Sequence, residues 1–141
     1  MSSNTEQVIS LLNEALTLEY TLIIHYPRLS SMIKDAETRD LVSGLGSASI
    51  KHADTVAEAI VRLKGKPIWS FDAFPEQVDL VSIFQEQLAK EKKARDLHQK
   101  SAYMVPGELR DKFVEIAREE ESHIKTVEEI LKRLNKLKIN E

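Results

Sequence analysis

The sequence predicts an all-α protein built as a bundle of four long helices, and three observations lead to that prediction. The 141-residue chain contains only four Gly and four Pro, which argues against a turn-rich β fold. Hydrophobic residues make up 42% of it and charged residues 30%, a balance typical of a globular protein. Apolar residues also recur at helical spacing over four long segments. We expect a single domain covering residues 1–141.

The four apolar patterns follow one another with breaks between them. They predict helices over about residues 4–33, from 35–40 to 64, from 75 or 76 to 104, and 108–137. Gly65 is expected to stop the second helix, and Pro106 with Gly107 to end the third, because these residue types interrupt helices.

Two irregularities lie inside the first and second predicted helices. Pro27 removes a backbone N–H and its ring opposes the carbonyl of Ile23, which predicts a kink in the first helix. The run SGLGSAS, residues 43–49, is poor helix material because it contains two Gly and three Ser. It predicts either a close approach of two helices or a bulge.

A long connection separates the two halves of the chain. Residues 65–77, GKPIWSFDAFPEQ, contain two Pro and three aromatic residues, and they are long for a simple loop. Such a connection can carry the chain from one end of a bundle to the other. We therefore expect a crossover that packs along the bundle and makes the second and third helices parallel neighbours.

Composition excludes several classes of site. The chain has no Cys, which removes disulfides, iron–sulfur clusters, thiolate zinc sites and thiol nucleophiles. The net charge is −3, and basic residues gather only near the C-terminal end, so no nucleic-acid partner is expected. No apolar run is long enough to span a membrane, and the first residues lack the pattern of a signal peptide. We expect a cytoplasmic protein without a membrane partner.

Acidic and imidazole side chains lie inside the apolar stripes of all four predicted helices. Burial of a carboxylate without a partner is costly, so each of these positions asks for a cation or hydrogen-bond donors. They are Glu19 in the first helix, His52 in the second, Glu91 in the third, and Glu120 with His123 in the fourth. Each also has a simpler interpretation taken alone: a Glu that reaches solvent or a buried Tyr, a core His, or a charged surface turn.

Together these residues match a known ligand pattern. Bundles with two carboxylate-bridged metals project one Glu from each of two helices and an E-x-x-H pair from each of the other two. Five of those six positions are filled here, and Ser49 occupies the sixth, three residues before His52. Carboxylate oxygen and imidazole nitrogen suit iron, manganese and zinc. The sequence therefore predicts a metal site between the helices.

Four segments carry a resemblance to a known family. LNEALTLEYTLIIHY, SIKHAD, EKKARDLH and REEESHI resemble the motifs of the ferritin-like di-iron carboxylate superfamily, most of all those of bacterioferritin. The chain is also similar to rubrerythrin-type bundles that lack the rubredoxin domain. The resemblance spans about residues 6–134. It implies an antiparallel, ferritin-like four-helix bundle with one long crossover between helices 2 and 3.

The resemblance also implies a function. It implies that Glu19, His52, Glu91, Glu120 and His123 bind one or two iron ions, with zinc or manganese as alternatives. Glu120 would bridge the metals, and Glu19 and Glu91 would be end ligands. Tyr26, Ser49 and His98 would surround these ligands.

The chain departs from the family pattern at several positions. Ser49 replaces a bridging Glu, so we expect one ion to bind more tightly than a second. Ile50 stands where haem-binding bacterioferritins carry Met, so no haem is expected. His98 stands where many relatives carry Tyr and could act as an extra donor or ligand. The sequence ends without the short fifth helix of cage-forming ferritins, so we expect a homodimer and no 24-subunit cage.

Two functions follow from this pattern. The first is a ferroxidase or peroxidase-type oxidoreductase in which O₂ or peroxide oxidises Fe(II). The alternative is a non-enzymatic bundle that binds a single metal, or none, and serves as a scaffold or interaction protein. Ser49 is the residue that separates the two hypotheses.

Overall fold

The computed structural model describes residues 3–76 and 79–140, and its regular elements are four helices. They are α1 (Ser3–Ser31), α2 (Ala36–Arg62), α3 (Leu80–Met104) and α4 (Gly107–Asn140). α1 packs mainly on α2 and α3 mainly on α4, while contacts of α1 with α3 and of α2 with α4 close the bundle. The predicted all-α four-helix bundle is confirmed.

The connection between α2 and α3 runs along α1. The side-chain amide of Asn13 donates a hydrogen bond to the Lys66 carbonyl at 3.2 Å and accepts one from the Ile68 N–H at 2.9 Å. Two turns further along α1, the Thr21 hydroxyl accepts a hydrogen bond from the Asp72 N–H at 3.0 Å. The connection is therefore a crossover that follows α1 to its far end before α3 begins.

The prediction that α2 and α3 are neighbours is wrong. In the part of the chain that the structure describes, α2 and α3 do not pack side by side, and each packs on α1 and α4. They meet across the centre of the bundle, where the rings of His52 and His98 lie edge to face with centroids 6.2 Å apart. They run in the same direction, as the length of the crossover suggested, but at diagonal corners of the bundle. The reason is that a crossover lying against α1 delivers the chain to the opposite side of α1 from α2.

The start of α3 also differs from the prediction. The helix begins at Leu80, after Asp79, whose side chain accepts a hydrogen bond from the Val81 N–H at 3.2 Å as an N-cap. The predicted starts at Pro75 or Glu76 fall in the crossover. Phe74 there packs edge-on against His25 of α1, with ring centroids 5.4 Å apart, and non-helical chain replaces the expected first turn. Gln77, the last residue of the predicted connection, lies outside the described residues.

The end of α2 shows why Gly65 matters. The left-handed residue that terminates the helix is Lys64, with φ of 66°, and the Gly65 N–H donates to the Ile60 carbonyl at 2.9 Å. A Cβ on Gly65 would lie only 2.9 Å from the Ile9 side chain of α1. Gly65 therefore allows the crossover to leave α2 close to α1, while Lys64 makes the turn.

Gly46 supports the close approach predicted for the small-residue run. α2 is helical throughout residues 43–49, so the alternative of a bulge is wrong. A Cβ on Gly46 would lie 3.3 Å from Tyr26 Cβ and 4.0 Å from Pro27 Cδ, which places the two backbones close together. α1 continues through Pro27 to Ser31, and the kink at Pro27 stays a prediction.

The buried side chains form two apolar clusters with a polar layer between them. On α1, the buried members of one cluster run from Val8 to Leu16 and those of the other from Leu22 to Leu29, and Glu19 falls in the gap. The other three helices repeat this division, so the layer crosses the whole bundle. No helix in the described part of the chain combines the length and apolar character that crossing a membrane requires.

Candidate metal centre

The polar layer collects the predicted ligands from all four helices. Glu19, Glu91, Glu120 and His98 are completely buried, His52 is 2% exposed, and the His123 side chain is 12% exposed. Each side chain lies at a helix position flanked by apolar residues one turn away, which is why the helix turns it inward. The five predicted ligands therefore lie within one buried region.

Five of these residues form two clusters of three that share one residue. The first, called the His52–His123 cluster, consists of His52, Glu120 and His123. The second, called the Glu19–His98 cluster, consists of Glu19, His98 and Glu120. In each cluster the potential ligand atoms all lie within 4.8 Å of one another. Glu120 belongs to both clusters.

His52 is held between two carboxylates of α4. Its Nδ1 donates a hydrogen bond to Glu120 Oε1 at 2.9 Å, and its Nε2 donates one to Glu119 Oε2 at 2.5 Å. Since both nitrogens face acceptors, the ring carries a proton on each. Burial alone would lower the pKa of His52, but its bonds to Glu120 and Glu19 raise that pKa to about 11.

Glu119 is the residue of the site that sequence reasoning missed. Its side chain is 47% exposed, and its position beside the apolar stripe suggested a solvated residue. The bond to His52 nonetheless orients the ring so that Nδ1 points into the cluster. The only signal in the sequence was the pair of consecutive acids at 119 and 120. Which of these acids contacts α2 depends on how the helices pack, so the sequence alone did not single out Glu119.

His123 and Glu91 form the other side of the layer. His123 Nδ1 lies 3.5 Å from Glu91 Oε2 and 3.6 Å from Glu120 Oε2, which are ion-pair distances rather than good hydrogen bonds. Burial would lower the pKa of His123, but the two carboxylates raise it to about 10. Burial raises the pKa of Glu91 to about 7, although His123 opposes that shift.

Glu19 is the most strongly stabilised anion of the layer. Its Oε1 accepts a hydrogen bond from His98 Nε2 at 3.1 Å and lies 3.6 Å from His52 Nδ1. Burial would raise the pKa of Glu19, but the two imidazoles lower it to about 2. A full negative charge therefore sits in the core, and protonated imidazole balances it when no metal does so.

Ser49 and Tyr26 place buried hydroxyl groups beside the polar layer. The Ser49 hydroxyl is buried and donates to the Leu45 carbonyl of its own helix at 3.2 Å, and it offers no carboxylate to either cluster. The Tyr26 hydroxyl is buried without a hydrogen-bond partner among the described residues. Burial, together with the charges of Glu91 and Glu120, raises the pKa of Tyr26 well above its ordinary value, so the ring stays neutral.

The donor atoms fit a metal ion. Several buried atoms of the layer have no hydrogen-bond partner in the part of the chain that the structure describes: Glu19 Oε2, both carboxylate oxygens of Glu91, Glu120 Oε2 and His123 Nδ1. Unpaired buried carboxylate oxygens are costly and rare in folded proteins. A cation among them would satisfy all of these atoms, and a set of oxygen and nitrogen donors suits iron, manganese or zinc.

A small cavity reaches the layer from the surface between α2 and α4. Its volume is about 170 Å³, and His52 and Glu119 lie in its wall with Lys51, Lys112 and Glu115. It gives solvent and small ions a route toward the outer nitrogen of His52. A larger cavity of about 490 Å³ between α3 and α4 contains none of the cluster residues.

Comparison with known proteins decides the family. The model of the ferritin-like domain family matches residues 9–137 of this chain. The chain belongs to the ferritin-like family. This confirms the resemblance found in the sequence and the ferritin-like form of the bundle. No curated protein matches the sequence.

Solved structures agree with that family assignment. A ferritin-like, diiron-carboxylate protein from Bacillus anthracis matches with a TM-score of 0.84 at 22% identity, covering 93% of this chain and 99% of its own. A bacterioferritin-related thioferritin from Bacteroides fragilis matches with a TM-score of 0.79 at 22% identity, covering 96% and 90%. A Mycobacterium tuberculosis bacterioferritin matches with a TM-score of 0.74 at 26% identity, covering 93% and 87%.

One of these structures overturns the predicted assembly. The Bacteroides fragilis protein is a dodecamer, and its subunit matches nearly the whole of this chain. The expectation of a homodimer, with its argument against larger assemblies, is therefore wrong. That expectation depended on the absence of a short fifth helix, which is not a reliable guide to the size of the assembly.

Proposed function

We propose that this ferritin-like chain binds iron in the polar layer and oxidises Fe(II) with O₂ or peroxide. The observation that carries the proposal is the convergence of three fully buried carboxylates, from Glu19, Glu91 and Glu120, whose oxygens lack enough hydrogen-bond partners. A protein core does not keep such a charge cluster for stability, because apolar residues of the same volume would cost less. A bound cation supplies the missing partner.

The proposed ligands have distinct roles. Glu120 belongs to both clusters, so it would be shared between two ions, while Glu19 and Glu91 would each hold one side. His52 would offer Nδ1, since its Nε2–H donates to Glu119. A carboxylate behind a ligating His fixes the tautomer and the ring orientation. His123 would offer Nδ1, which already faces the carboxylates of Glu91 and Glu120.

The apolar surroundings would suit redox chemistry. Iron bound in this layer would supply electrons to O₂ or peroxide. The two apolar clusters on either side keep bulk water away from the carboxylates. Loading requires His52 and His123 to release protons, since their metal-free forms are held protonated by neighbouring carboxylates. The surface cavity at Glu119 provides an exit for those protons and an entrance for the ion.

Relatives of known character support iron as the metal. The Bacillus anthracis structure belongs to a ferritin-like, diiron-carboxylate protein. A bacterioferritin from Desulfovibrio desulfuricans, with a TM-score of 0.74 at 21% identity, has a diiron site that was captured in different catalytic states. This chain differs at Ser49, and the missing carboxylate favours an alternative in which one bound metal has no catalytic activity.

Stepwise titration distinguishes the two functions. Metal-free protein is titrated with Fe(II) without oxygen, and free Fe(II) is measured after each addition. O₂ or peroxide is then added, and ferric iron is followed by absorbance. We expect at least one tight Fe(II) and stoichiometric consumption of oxidant. Tight binding without oxidation would favour the non-enzymatic alternative, and absence of binding would contradict the proposal as a whole.

A further inference from the structure

We infer that His98 is a metal ligand and that, with Glu19 and Glu120, it builds the site of the second ion. This inference rests on the proposed function, since it assigns one more ligand to the same layer. It also offers a reason why a chain without a carboxylate at position 49 could hold two ions. His98 would supply the donor that Ser49 does not.

The geometry of His98 singles it out. It follows Glu91 by seven residues, two turns along α3, so both side chains point into the bundle. Its ring is completely buried, and its Nε2 lies 3.1 Å from Glu19 Oε1. Its ligand atom lies within 4.8 Å of those of Glu19 and Glu120. An ion placed among these three atoms would need only small side-chain adjustments.

Carboxylate oxygens around His98 lack hydrogen-bond partners when no ion is bound. Glu19 Oε2 and Glu120 Oε2 are buried and lack a hydrogen-bond partner among the described residues. The single bond from His98 to Glu19 therefore leaves half of each carboxylate unused. An ion held by one imidazole and two carboxylates would satisfy these oxygens, and such a donor set suits divalent iron, manganese, cobalt or zinc.

Because Ser49 supplies no carboxylate, the second ion needs a ligand from another helix, and His98 of α3 can supply it. The Ser49 hydroxyl bonds to the Leu45 carbonyl of α2, and His52 is the one His or acidic residue that the described part of this helix gives to the clusters. α3, at the diagonal corner of the bundle, gives the layer two such residues, Glu91 and His98. Each cluster then has three donors, and Glu120 is their common carboxylate.

Cobalt loading tests whether His98 is a ligand. Metal-free protein is titrated with Co(II), the bound ions are counted by elemental analysis, and hyperfine-shifted imidazole N–H signals are counted by proton NMR. We expect native protein to show signals from three imidazoles and to bind two ions. His98→Phe should lose one signal, and its second ion should bind more than about tenfold more weakly, since even an outer partner of a ligand is worth about tenfold or more.

Two further variants separate ligation from other effects. His98→Gln keeps an N–H donor that can bond to Glu19 but removes the imidazole, so it should behave like His98→Phe. His25→Phe removes another fully buried His of the bundle, one that bonds to the Asp72 carbonyl at 2.9 Å, and it should keep the native signals and both ions. Circular dichroism checks that each variant is folded.

Specific results would overturn the inference. If His98→Phe keeps the native number of shifted signals and the native second-ion affinity, His98 is not a ligand. If His98→Gln restores second-ion binding, His98 only positions Glu19. In both cases the native protein still binds Co(II), so the proposed metal site stands. If the native protein binds no ion, the inference and the proposed function both fail.

Discussion

The two halves of the bundle meet at the same polar layer but bring different chemistry to it. At the corresponding positions, α4 offers Glu120 and His123, whereas α2 offers Ser49 and His52. Glu120 extends into both clusters, while the Ser49 hydroxyl turns back to the Leu45 carbonyl of its own helix. The correspondence between the two halves therefore predicts where a side chain lies, whereas its ability to bind a metal depends on which residue occupies the position.

His52 and His123 also differ in whether a carboxylate of the other helix lies behind the ring. His52, on the half that lacks a carboxylate, has Glu119 of α4 behind its outer nitrogen. Position 48, which corresponds to Glu119 in the other half, is Ala and offers His123 no such partner. α4 thus supplies both the shared carboxylate and the group that orients the ligand of α2. The site depends mostly on α4, and variants of the two halves should not have equal effects.

The largest expected effect follows from removing the shared carboxylate. Glu120→Gln should weaken the binding of the first and second ions by more than about 100-fold, since even outer partners of ligands are worth about 10–100-fold. The matched control is Glu121→Gln, because Glu121 is exposed and pairs with Arg95 at 2.8 Å on the surface. Isothermal titration with Fe(II) under argon measures both variants. Equal affinities for the two variants would contradict the role given to Glu120.

The second largest effect concerns pH. The pKa values of His52 and His123 are raised to about 11 and about 10, so both rings are protonated at neutral pH when no metal is bound. Binding should then release about two protons, and affinity should fall about 100-fold for each pH unit of acidification. Titrations in two buffers of different ionisation enthalpy count the released protons. A count near zero would show that the imidazoles do not bind the ion.

The stability of the metal-free protein should change with pH in the opposite direction to its metal affinity. Unfolded histidine loses its proton near its ordinary pKa, whereas the folded rings keep theirs until about pH 10 or 11. The folded state therefore binds more protons above neutral pH, and the free energy of unfolding should fall as pH rises through that range. Urea denaturation at several pH values measures this, and a stability that stays constant to pH 11 would contradict it.

Restoring a carboxylate on α2 should make the halves more alike. Ser49→Glu should tighten the second ion by about tenfold. It should also lower the stability of the metal-free protein by about 3 kcal/mol, because it adds an unbalanced charge to a buried layer. Ser47→Glu, at an exposed position of the same helix, is the control. If Ser49→Glu leaves both quantities unchanged, position 49 does not face the metals.

The smallest expected effect concerns the outer partner of His52. Glu119→Gln keeps the shape of the side chain but weakens its bond to His52, so metal affinity should fall about tenfold. Glu115→Gln is the control, because Glu115 is exposed and lines the same cavity without bonding to the ring. A fall of equal size in both variants would indicate a general effect of surface charge, and the orienting role of Glu119 would be wrong.

The sequence was sufficient for those features that depend on one helix at a time. The four helices and the inward positions of Glu19, Glu91 and Glu120 followed from apolar spacing, which a single helix determines. The diagonal arrangement of α2 and α3 did not, because it depends on how the crossover lies against α1. The start of α3 at Leu80 was missed for a related reason, since Phe74 packs on His25 of another helix and its segment is not helical.

The contacts between helices explain the remaining differences at the site. Glu119 looked solvated because its own helix places it beside the apolar stripe, and only the approach of α2 makes it a partner of His52. The bond between His98 and Glu19 likewise joins α3 to α1. The assembly was predicted wrongly, since it depends on surfaces that helical periodicity does not describe.

The metal content of the chain tests the central claim most directly. Native protein and Glu120→Gln are loaded with Fe(II) under argon, passed through a desalting column, and analysed for iron and protein. We expect the native chain to retain one or two iron ions and the variant to retain almost none. A native chain that emerges without iron, or a variant that retains as much as the native chain, would contradict the claim that this buried layer is a metal site.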